Sequence, residues 1–173
     1  VVTTNVPIAE IMEKEFGIQT RVDNDVRCAA LGELNFGAGI GCENLIVPWC
    51  DWSDAPAAIA ALNEAQKKLA EHGIRLGYHN HSREFVPNLD GQIAEEEIAK
   101  RTNVNLEIDT FWVYNAFLDP IEILEKYKDR ITHIHLKDGV RKPTPESSDR
   151  EAEGRSTGMG DAPVLAVRKK AIE

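Results

Sequence analysis

A chain of 173 residues, 42% hydrophobic and 28% charged, is long enough for one domain with a real core or for two small ones, with the make-up of an ordinary soluble globular protein. Its net charge of −9 argues against nucleic acid as a partner, because phosphate binding needs a basic surface. No apolar run approaches the roughly 20 residues that span a bilayer, and Cys28, Cys42 and Cys50, odd in number and without CxxC spacing, read as free thiols of a reducing compartment, the cytoplasm by default.

Ile8, Ile11, Met12 and Phe16 recur at helical spacing within residues 5–16, and Gly17 closes that helix. TRVD (20–23) is a short strand, and Asn24 or Asp25 can cap a following helix through VRCAALGELNFG. ENLIVPW (43–49) is an apolar strand ended by Pro48. Ser53 or Asp54 then caps a long helix with Pro56 in its first turn and Gly73 just past its end.

IRLGYHNH (74–81) is the next strand. A turn at residues 88–91 leads to a helix over 93–101, followed by a strand at 104–109, a helix at 119–129 and a strand, RITHIHLKD, at 130–138. Residues 141–160 are polar and read as a loop of about 20 residues, a length that marks an active-site loop or disorder. A final helix starts near Asp161. Five strands alternating with helices imply an α/β fold with a parallel sheet of about five βα units. The sheet is open and doubly wound or part of a (β/α)8 barrel. A complete barrel takes about 250 residues, so five strands stay open or close by swapping or dimerisation. Val1 in place of methionine, and a stop at Glu173 inside a helical pattern, read as the ends of a segment or a recombined product.

Four of the five histidines fall in two His-x-His pairs, His79/His81 and His133/His135, with Asp109 between them in the chain. Alternate residues of a strand share a face, so each pair can aim two imidazoles into one space, as a strand-built metal or sugar site requires. Lys137 follows the same alternation as His133 and His135; it can contact a sugar or phosphate oxygen, or simply end the strand in solvent. His72 closes a helix, where an imidazole favours the dipole.

Residues from about 43 to 173 resemble the sugar isomerase/epimerase family with a xylose-isomerase-like TIM barrel. VPWCDW, GIRLGYHNHSREF, VNLEIDTFWVYNAFLDP, KDRITHIHLKDG and GMGDAPVLAVRKKAIE carry the resemblance. It implies a partial TIM barrel, with Asp109 and His135 as ligands of a divalent metal (Mn2+, Mg2+ or Zn2+), against a merely structural role for the pair. Glu84 matches the family's first carboxylate ligand, and the fourth ligand, a glutamate on the last strand, would follow residue 173. The implied chemistry is proton transfer beside a sugar carbonyl, with Glu84 and Lys137 as catalytic groups and His79, His81 and Trp112 on the substrate side. His133 is expected deeper, as a hydrogen-bonded layer residue. The implied substrate is a small sugar or sugar phosphate.

Residues 1–42 resemble a ROK-family sugar kinase in its glucokinase branch, on DNDVRCAALGE and the following FGAG. There the residue matching Asp25 activates the sugar hydroxyl. The chain lacks that family's DxGxT phosphate loop, GTG motif and Cys/His zinc cluster, so Asp25 is expected to be a helix cap and no nucleotide cofactor is expected. The glycines of GAGIG (37–41) follow a helix rather than a strand, unlike a nucleotide loop. The whole reads as a chimera of two α/β fragments in one fused domain. Its open sheet predicts a homodimer. Two functions follow: a metal-dependent sugar isomerase/epimerase-type domain, truncated and weak alone, or a non-catalytic fold that keeps the site residues as relics.

Overall fold

The computed structural model describes residues 43–88 and 90–172. The helix expected over residues 5–16, the strand and helix expected within residues 20–37, the glycines of 37–41, and Asp25, Cys28 and Cys42 lie outside them. Strands β1 (Asn44–Val47), β2 (Arg75–His79), β3 (Asn105–Asp109) and β4 (Ile131–His135) form a parallel sheet in the order β1-β2-β3-β4. β2, β3 and β4 each arrive through a helical crossover, the connection that parallel neighbours require. Helix α1 (Ala55–Ala70) links β1 to β2, α2 (Ala94–Arg101) links β2 to β3, and α3 (Thr110–Asn115) with α4 (Pro120–Tyr127) links β3 to β4.

Local chemistry explains these boundaries. Asp54 caps α1, its carboxylate accepting the Ala57 N–H at 3.0 Å, and Pro56 sits in the first turn where its missing N–H costs nothing. Gly73 takes φ +73°, a left-handed turn that glycine adopts without penalty and that sends the chain back into β2. Asp119 caps α4 through the Ile121 N–H, with Pro120 behind it.

Leu45, Val47, Leu76, Tyr78, Leu106 and Ile108 alternate along the strands and join Ile59, Leu62, Leu69 and Ile98 of the helices in one buried cluster. The opposite face of the same strands carries His79, Glu107, Asp109 and His135. The strands thus divide core from site by their two-residue period.

Two expectations need correction. The strand drawn over 130–138 stops at His135, and the Lys137 N–H turns back to the His135 carbonyl. The stretch 141–160 is not a plain loop: β5 (Asp138–Val140) pairs antiparallel with β6 (Glu153–Arg155), and a 3-10 turn (Asp149–Glu151) precedes β6. Asp138 joins the two ends of this stretch. Its carboxylate accepts the N–H groups of Gly139, Gly158, Gly160 and Ala162, which draws both ends of the excursion together. A side chain at Gly160 would collide with Asp138, and one at Gly139 with Phe111 and the Glu153 carbonyl. Burial opposes ionisation of Asp138, but the N–H groups of Gly160, Gly139, Gly158 and Ala162 outweigh it and hold its pKa below the ordinary value. Charge-assisted hydrogen bonds are each worth about 1.5–3 kcal/mol. Asp138→Ala should therefore open residues 141–160 to protease at least about tenfold faster than in the parent, read by the first-cleavage rate; an unchanged rate would remove Asp138 as the clasp.

Helix α5 (Val164–Ile172) closes the described chain and packs on α4, with Lys170 Nζ 2.9 Å from Glu125. No helix among the described residues is long and apolar enough to cross a membrane.

Candidate metal centre and substrate face

His79, Asp109 and His135 are the last residues of β2, β3 and β4, the strand ends at which parallel α/β sheets place ligands. Register brings them together. His79 lies opposite Glu107 across β2–β3. Between β3 and β4 the pairing steps from Leu106–Ile131 to Glu107–His133, a bulge that passes over Thr132 and sets Asp109 opposite His135. One donor atom from each of His79, Asp109 and His135 lies within 4.8 Å of the others.

Asp109 is fully buried and uses its two oxygens differently. Oδ1 caps α3, accepting the N–H groups of Phe111 at 3.0 Å and Trp112 at 3.2 Å. Its main chain is clamped by Asn80, which accepts the Asp109 N–H at 2.9 Å and donates to its carbonyl at 3.2 Å. Oδ2 has no hydrogen-bond partner, although His135 Nδ1 stands 3.1 Å away and His79 Nε2 3.6 Å. Burial pushes the Asp109 carboxyl above its ordinary pKa; His135, the Trp112 N–H, Lys137 and His79 pull the other way. A buried, unpartnered carboxylate oxygen between two imidazole nitrogens fits a divalent cation that accepts mixed N and O ligands.

Glu84 stands outside this trio. It is fully buried in the 3-10 turn Ser82–Phe85, where Oε1 accepts from the Tyr78 hydroxyl and Arg83 Nε, each at 3.0 Å, and Oε2 accepts the His81 N–H at 2.8 Å. His79, expected on the substrate side, stands with Asp109 and His135 in the trio. Glu107, which the sequence motifs do not single out, lies with Oε1 2.7 Å from His79 Nδ1. The available signal was its position two residues before Asp109, on the same strand face.

His81, Trp112 and Lys137 gather beside the trio. The His81 ring lies 5.2 Å from His79 and 5.5 Å from Trp112, and Lys137 Nζ sits 4.1 Å above the Trp112 ring, a cation–π contact. Burial lowers the His81 pKa, Glu84 opposing, and its buried Nδ1 has no partner. His133 departs from expectation: it is exposed and lines a groove of about 460 Å³ with Leu124, Ile131, Ile134 and Lys170. β4 is the last strand of the described sheet, so no strand among the described residues covers it.

A parallel α/β sheet with imidazoles and a buried carboxylate converging at its strand ends is an arrangement whose donor set could hold a metal ion. The chain belongs to the xylose isomerase-like TIM barrel family, whose model matches residues 34–170. The ROK family model matches residues 1–49, overlapping that span. An inosose dehydratase of Geobacillus kaustophilus is 32% identical over 86 residues, covering 50% of this chain and 28% of that protein. The inosose dehydratase of Salmonella agona is 27% identical over 131 residues, covering 76% and 38%. The chain thus spans less than two-fifths of the length of these curated relatives. The crystal structure of a xylose isomerase domain protein from Planctomyces limnophilus superposes with TM-score 0.68 at 18% identity, covering 85% of this chain and 54% of that one.

Proposed function

We propose that this chain carries the divalent-metal site of a sugar or sugar-phosphate isomerase/epimerase-type enzyme. The observation behind this is the convergence of two imidazole nitrogens on one buried carboxylate oxygen that accepts no hydrogen bond, at the strand ends. Asp109, His135 and His79 would hold Mn2+, Mg2+ or Zn2+. Such an ion supplies Lewis acidity to a carbonyl and its neighbouring hydroxyl, which eases loss of the proton between them. The relatives are inosose dehydratases by name, and dehydration beside a carbonyl begins with the same proton.

The surrounding residues divide the remaining work. His81, neutral through burial, offers Nδ1 to a substrate hydroxyl. Trp112 presents a ring face to the carbon skeleton, and Lys137 above it offers a cation to a sugar or phosphate oxygen. Glu84 acts through His81, whose backbone it holds, and is in reach of proton transfer only if the 3-10 turn shifts. The engagement of both Glu84 oxygens favours the second reading, a non-catalytic α/β fold with relic site residues, because it ties up the one carboxylate besides Asp109 among the three expected ligands, Glu84, Asp109 and His135.

Calorimetric titration with Mn2+ and Zn2+ separates the two. Saturable binding at one site supports the enzyme reading, and turnover of ketose/aldose pairs then tests the reaction; no binding of either ion leaves the relic reading. We further propose a cytoplasmic protein joined from kinase-like and barrel-like segments near residue 42. A homodimer would cover the exposed edge of β4. Light scattering at micromolar concentration should give twice the chain mass, and a strict monomer would refute the dimer.

A further inference from the structure

We infer that Glu107 is a positioning residue that turns His79 into a metal-facing ligand, by holding a proton on Nδ1 and leaving Nε2 as a bare acceptor toward Asp109. The inference deepens the metal reading of His79, Asp109 and His135 and rests on it. Glu107 lies directly across the strand pair from His79, with Oε1 2.7 Å from Nδ1 and side-chain exposures of only 19% and 11%. A carboxylate accepts and does not donate, so the hydrogen in this contact belongs to the imidazole. A neutral imidazole carries one such hydrogen.

Nε2 therefore presents a lone pair, and it faces Asp109 Oδ2 at 3.6 Å. That oxygen is itself a buried acceptor that takes no hydrogen bond, with His135 Nδ1 3.1 Å away. Two acceptors facing each other in a dry site repel unless a cation or proton stands between them. Without Glu107, His79 is free to adopt the opposite tautomer and donate Nε2–H to Oδ2, which would satisfy the oxygen internally. Glu107 removes that alternative and keeps ring and carboxylate open to a cation. Outer carboxylates commonly orient ligating histidines in this way.

Side-chain 15N NMR of the metal-free protein at alkaline pH reads the tautomer directly. Wild-type His79 is expected as the Nδ1–H form. Glu107→Gln, whose amide oxygen still accepts, keeps that form, whereas Glu107→Ala moves the ring mostly to Nε2–H; dispersed amide spectra establish that both variants fold. Titration with Mn2+ or Zn2+ should then give an affinity about 10- to 100-fold weaker for Glu107→Ala, with Glu107→Gln in between. A wild-type ring in the Nε2–H form, or an unchanged tautomer in Glu107→Ala, overturns the inference whatever the titration shows. A tautomer switch in a protein that binds neither ion upholds the positioning role and overturns the metal reading alone.

Discussion

Asp109→Asn is expected to weaken Mn2+ or Zn2+ binding by more than about a hundredfold, beyond what loss of a supporting group costs a metal site, while the fold survives. The two oxygens of Asp109 make this separation feasible. Oδ1 caps α3 through Phe111 and Trp112, and an asparagine oxygen performs that task equally well. Oδ2 is the unpartnered atom facing His79 and His135. An amide there loses the negative charge and can donate to His79 Nε2, filling the space intended for a cation. Asp109→Ala should lose the ion and the cap together, with about 1 kcal/mol of stability from the cap. Any isomerase or epimerase turnover should fall by about a thousandfold or more in both variants, since the ion's contribution is several kcal/mol. A titration curve for Asp109→Asn that overlays the wild type would remove Asp109 from the metal site.

Glu95→Gln should stabilise the protein at pH 8–9 by about 3–5 kcal/mol, the largest stability effect expected here. Glu95 sits in the first turn of α2, fully buried, with neither carboxyl oxygen hydrogen-bonded. Burial, and then the charge of Glu84, push its pKa up to about 8, against the pull of Arg130 and Lys126. The unfolded chain releases this proton near the ordinary glutamate value of about 4.3, whereas the folded protein keeps it until about pH 8. Stability is therefore greatest in acid, falls as pH rises between those two values, and is level above them. Glutamine has the shape of the protonated acid and cannot ionise, so its stability should lack this component. The raised pKa of Asp109 acts in the same direction and the lowered pKa of His81 in the opposite one. Comparing variant and parent at each pH isolates Glu95. Urea midpoints from pH 5 to 9 provide the measurement; parallel curves for the two proteins would show that Glu95 does not hold its proton into the alkaline range.

Much of the architecture was legible because its signals are local. Apolar runs ended by Pro48, the Asp54 cap with Pro56, and Gly73 each act within a few residues, and β1 to β4 with α1, α2, α4 and α5 fall where those signals place them. The helix α3 was missed although its cap was in view: Asp109 was read for its metal chemistry, and the same side chain also starts the helix. The clasp at Asp138 was missed because its partners lie about 20 residues away, and no local pattern announces a carboxylate that collects distant backbone N–H groups.

By itself the sequence determined which residues share a strand face, because a two-residue period is written into every strand. The choice of Asp109 and His135 as metal ligands came from the family resemblance, which left His79 on the substrate side. Tertiary structure alone decided which of these side chains meet. The bulge over Thr132 sets His135 opposite Asp109, and the β2–β3 register gives His79 its carboxylate partner Glu107. Both depend on hydrogen bonds between strands about 25 to 30 residues apart in the chain, a register that local periodicity does not encode.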